Sequence, residues 1–78
     1  MRMVMQVAHV ETREGRISRV TTENRAYVIV RTVEHWRAGG RWWRGEYPRN
    51  YYLLRTRENT LLEVYEEVLT WTLSAIQD

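Results

Sequence analysis

Apolar residues in this chain alternate or run together over short stretches, and only one segment repeats with the period of a helix. Residues 3–11 are near-continuously apolar up to Val10, with Met3, Val4, Met5, Val7 and Ala8. Gly15 follows in a polar stretch and predicts a turn. Residues 16–22 are rich in Ile, Val and Thr, types that suit a strand, but they alternate poorly. Residues 23–25 predict a second short turn. Residues 26–37 form the clearest strand. Alternation sets Tyr27, Ile29 and Val33 on one face and Val28, Val30 and Trp36 on the other. Both faces are largely apolar, which suits a closed or folded-over sheet, and the length predicts a bend.

Residues 38–49 read as a loop. Gly39-Gly40 ends the strand, and Gly45 and Pro48 keep regular structure from resuming. Residues 50–57 return to strand, with Tyr51 and Leu53 on one face and Tyr52 and Leu54 on the other. Glu58-Asn59 predicts a tight hairpin turn. Residues 60–69 are ambiguous. Thr60-Leu61-Leu62-Glu63 matches a helix capping box, and Leu61, Tyr65, Val68 and Leu69 share a helical face. Local pattern alone leans to helix there. Residues 70–76 alternate Trp71, Leu73 and Ala75 against Thr72, Ser74 and Ile76, a strand pattern. The expected fold is one small all-β domain over residues 1–78, an antiparallel barrel-like sheet of five or six strands. The alternative is α+β, with a helix at about 60–69.

Composition sharpens this picture. A chain of 78 residues buries only about 60% of the surface its unfolded form exposes, so its core is thin. It has no Cys, so neither disulfides nor Cys-ligated zinc can staple it. Four Trp and five Tyr are the obvious replacement, since each large aromatic buries about 150–250 Å². Residues 1–6 meet a polar residue before any long apolar run develops, so no signal peptide is expected. The run Val28, Ile29, Val30 falls far short of the roughly 20 residues that span a bilayer. The expectation is a cytoplasmic protein without a membrane partner.

All twelve basic residues are Arg. GC-rich coding is the preferred explanation, ahead of the capacity of Arg to stack on aromatics and grip phosphate bidentately. Residues 1–57 hold twelve Arg against five Glu, a net +7, and residues 58–78 hold five acids and no Arg, a net −5. A basic body attracts anions. The preferred reading is internal, with the acidic segment lying across basic strands and stabilising the sheet modestly.

Residues 36–52 concentrate the candidate chemistry. They hold three of the four Trp, three of the five Tyr and four Arg. Arg37, Arg41, Arg44 and Arg49 could contact phosphates while Trp42, Trp43 and Tyr47 stack on bases, as in single-strand binders. Trp, Tyr and Arg are also the types enriched at protein interface hot spots. The plain structural alternative places Trp36, Tyr51 and Tyr52 in the core, with Trp42 or Trp43 folding the loop back. His9 and His35 are far apart in sequence and read as sheet residues, and Glu63, Glu66 and Glu67 as a solvated edge. No phosphate-loop pattern exists around Gly39, Gly40 and Gly45. No catalytic residue, metal site or cofactor is expected.

Trp42-Trp43, then Arg49-Asn50-Tyr51-Tyr52, then Leu61 through Tyr65, then Trp71-Thr72-Leu73, make up a pattern over about residues 36–77. It resembles a small bacterial domain of unknown function, similar to the C-terminal segment of ImuB-type mutasome proteins, which are catalytically defective relatives of Y-family DNA polymerases. Two positions depart from it. Asn50 stands where the family usually has Asp, and Leu69-Thr70 precedes Trp71 where a Gly-containing turn is usual. The resemblance implies strand rather than helix at residues 61–66, and a context of DNA-damage tolerance. It transfers no catalytic residue. The expected function is binding, not catalysis: a protein-interaction or self-association module, alternatively a single-stranded nucleic-acid binder. The partner is another protein, a second copy of the chain, or nucleic acid.

Overall fold

A computed structural model describes residues 1–77, the side chain of Trp42 excepted. Six strands follow in order: β1 (Arg2–Arg13), β2 (Arg16–Thr21), β3 (Ala26–Ala38), β4 (Arg49–Thr56), β5 (Leu61–Glu67) and β6 (Thr70–Gln77). Each pairs antiparallel with the next, and β6 pairs with β1 to close a barrel. The chain is therefore all-β, as the alternation predicts. Residues 61–67 are strand, and the helix alternative at 60–69 is wrong. Leu62 and Val64 face the core while Tyr65 faces out, so period 2 overrides the capping box. Among the described residues, no helix is long and apolar enough to cross a membrane.

The long strands bend between two sheets. In β1, residues from Arg2 to Ala8 pair with β6, and those from His9 to Arg13 pair with β2. In β3, Ala26, Tyr27 and Val28 pair with β2, and Ile29 onward with β4. Short β2 lies across the gap. The core forms between its Ile17 and Val20, with Tyr27 and Ile29, and Leu54, Leu62, Val64, Leu73 and Ile76 of the larger sheet.

Turn chemistry accounts for the connections. Glu14 and Gly15 both take positive φ (54° and 78°), the requirement of a tight two-residue hairpin. Thr22 Oγ1 accepts the backbone N–H of Asn24 (3.3 Å) and Arg25 (3.2 Å), which fixes the turn at 23–25. Asn59 closes the β4–β5 turn at φ 69°, a conformation Asn tolerates.

The β5–β6 turn is built against propensity. Val68 sits at φ 58°, at the first central position of a two-residue hairpin, a place that favours Gly. A β-branched residue there is a true outlier. Val68→Gly should raise stability by about 0.5–1 kcal/mol, measured by urea denaturation, since left-handed φ costs an L-residue about 1–2 kcal/mol and Gly returns part of that as chain entropy.

Two bulges on β3, where Val30 and Val33 have no opposite residue on β4, break its alternation. The strand is covered only in its first part, where Tyr27 and Ile29 are buried. Residues 30–38 are exposed throughout, because β2 has ended and β4 is their neighbour on one side only. This arm carries the loop at 39–48 away from the core.

Candidate interaction surface at the loop end

The β3–β4 loop and the β5–β6 turn lie at the same end, because Ala38 pairs with Arg49, Arg49 with Glu67, and Glu67 with Thr70. One turn of 3₁₀ helix, Trp42–Arg44, breaks the loop. It is tied by the Arg41 carbonyl, which accepts the N–H of Arg44 (2.8 Å) and of Glu46 (3.2 Å). Gly39, Gly40 and Gly45 all take positive φ, and a Cβ on Gly40 would meet the Pro48 ring at 3.5 Å. The loop therefore doubles back tightly over the strand ends. A pocket of about 450 Å³ lies beneath it, lined by Gly39, Glu46, Tyr47, Arg49, Tyr51 and Glu67 among others.

Adjacent residues of β4 send aromatic rings to opposite faces. On the outer face Trp36 stacks on Tyr51 (centroids 5.3 Å, planes 5° apart), and Tyr51 contacts Tyr65 (5.2 Å, 44°). On the core side His35 stacks on Tyr52 (4.3 Å, 3°), and Tyr52 meets Trp71 (5.5 Å, 42°). Tyr52 does pack against the core, as the sequence suggests. Trp36 does not. It is 36% exposed on the outer face, opposite in direction to Ile29 as simple alternation puts it, because the two bulges cancel before it, so its assignment to the core is wrong, and so is that of Tyr51, on which it stacks.

Arg49 is held by three side-chain contacts. Its Nε donates to Glu67 Oε2 at 2.9 Å, its Nη1 donates to Tyr51 Oη at 3.3 Å, and its guanidinium sits 4.4 Å over the Tyr65 ring. The hydrogen bond to Tyr51, and then that to Glu67, raise its pKa further, so it stays charged at any working pH. This is the internal pairing of basic and acidic segments that the charge division predicts. It also occupies Arg49, which makes it a structural member of the outer face.

The other candidates divide. Arg41, Trp43, Arg44 and Tyr47 lie together on the loop and are exposed, Trp43 at 67% and Tyr47 at 61%. The side chain of Trp42 lies outside the described residues. Arg37 is exposed but pairs with Asn50, on the face opposite Trp36, where it lines a smaller pocket with Tyr47, Pro48, Glu66 and Val68. His9 and His35 lie on β1 and β3, in different sheets at their positions.

The same end exposes two residues that the sequence pattern places on a helical face and not among the candidate site residues. Val68 is 64% and Leu69 92% exposed at the tip of the β5–β6 turn. A helical reading of 60–69 hides them, because it merges the turn with the strand before it. Two apolar residues between the Glu66-Glu67 end of one strand and a strand opening on Thr-Trp are the signal that would have marked a tip. This end thus exposes Trp43, Tyr47, Val68 and Leu69 and the cations Arg37, Arg41 and Arg44, and one pocket there brings Tyr47 and Val68 together with Arg37 and Glu66. No family model matches the chain, and no curated protein or solved structure matches it either.

Proposed function

We propose that the chain is a protein-interaction module that docks a partner, or a second copy of itself, through this loop end. The observation that carries the reading is the exposure of Trp43, Tyr47, Val68 and Leu69 together, with Val68 held in a strained conformation at the tip. Exposed apolar patches mark interaction sites, and backbone strain concentrates at such places. Binding rather than catalysis is the role this surface suits. The resemblance of residues 36–77 to mutasome segments favours a partner in DNA-damage tolerance.

The expected result for Trp43→Ser combined with Leu69→Ser is a loss of association of about 1,000-fold, with thermal stability close to the parent, since hot-spot side chains each contribute about 2 kcal/mol or more and about 1.4 kcal/mol is tenfold. Light scattering across concentration reads self-association, and crosslinking followed by capture reads a partner. A strict monomer that retains no protein would overturn the proposal.

A second reading, binding of single-stranded nucleic acid, is favoured by Arg37, Arg41 and Arg44 standing exposed beside Trp43 and Tyr47. Glu46, Glu66 and Glu67 at the same end weaken it, because they offset the cations a phosphate backbone needs. Tryptophan quenching by an oligonucleotide that fades steeply with salt would select this second reading over the first.

A further inference from the structure

A second feature lies away from the loop end. A groove of about 350 Å³ runs between the β1–β2 hairpin and β3, just where β3 passes beyond β2. Arg13, Arg16 and Arg31 line it, with Glu14 as its single acid and buried Ile17 and half-buried Ser18 beside them. None of the three Arg makes an ion pair among the described residues. Arg13 and Arg16 stand directly opposite each other across the hairpin, and Arg31 stands opposite Arg55 across β3 and β4. Like charges directly opposite on neighbouring strands destabilise a sheet. The region thus places two unfavourable pairs next to one groove and leaves its cations without a partner.

An anion resolves both costs. The guanidinium fork matches an oxyanion bidentately, and three forks offer more donors than the two oxygens of a carboxylate can accept. A phosphate group has three or four oxygens and about two charges near neutral pH, which suits three cations against one acid. No Trp or Tyr lines the groove, so it has no stacking face for a base. We propose that the groove binds a phosphate-type anion through Arg13, Arg16 and Arg31.

Pyrophosphate is the probe, titrated at constant ionic strength with chloride as balance. Saturable heat is expected, and at about ten times the Kd the melting temperature should rise by about 5–10 °C. Arg16→Gln should abolish both responses while melting no lower than the parent in chloride, since the substitution removes a like-charge pair. Arg57→Gln, outside the groove, should keep both. An oligothymidylate that pyrophosphate displaces would identify a phosphodiester as the source, and one that does not bind would identify a small free phosphate. The proposal fails if pyrophosphate gives no shift, if Arg57→Gln loses the response equally, or if hexaglutamate binds more tightly than pyrophosphate.

Discussion

Leu54→Ala should lower the unfolding free energy by about 3 kcal/mol, read as a shift in urea midpoint at unchanged slope. Leu54 is fully buried, between Thr32 on β3 and Leu62 on β5, and it packs in the cluster formed by both sheets. Removing its branched end deletes contacts to both neighbours and leaves a void that a closed barrel cannot collapse, because hydrogen-bonded strands hold the wall apart. Domains of this size have about 4–12 kcal/mol in total, so one substitution takes a large part. A loss under about 1 kcal/mol would show that the barrel interior is loosely packed.

Tyr65→Ala should cost nearly as much, about 3 kcal/mol, although Tyr65 faces away from the core. The residue is only 7% exposed, with Tyr51 beside its ring and the Arg49 guanidinium above it. The ring is the middle of a small second core on the outer face. Its loss removes the ring under Arg49 and the support under Tyr51 together. Tyr65→Phe keeps the ring and should stay within about 0.5 kcal/mol of the parent. Equal losses for the two variants would mean that the hydroxyl, not the ring, carries the contribution.

The strands and most turns were legible because local chemistry and global fold agree. Gly15 and Asn59 stand where left-handed φ is needed, and Tyr51 through Leu54 alternate as a wall strand must. Three features were not legible, each for a physical reason. Val68 does a glycine's work under strain, so no turn residue announces the last hairpin. The bulges at Val30 and Val33 turn the residues between them over and then cancel, and no residue type encodes a bulge there, while the core expectation for Trp36 rests on its aromatic type and not on its face. Ser74 is the extra residue of a further bulge, on β6, and its hydroxyl lies 2.8 Å from Glu63 Oε1, a pairing that depends on a neighbouring strand.

Of the candidate site, the loop cluster was legible as a composition: Arg41, Trp43, Arg44 and Tyr47 are exposed together. Arg49 was misjudged as a free cation because its partner Glu67 is eighteen residues away in sequence. Val68 and Leu69 were missed because their exposure follows from where β5 stops, not from their type.

Tyr51 and Tyr52 are consecutive, yet each completes a different aromatic row. A slip of β4 by one residue would exchange them, turn Leu54 outward and drive Arg49 and Arg55 into the barrel. Both rows would break at once, along with the ion pair to Glu67. The two tyrosines act as a pair of keys cut for opposite sides of one wall, and only one alignment of the strand lets both turn.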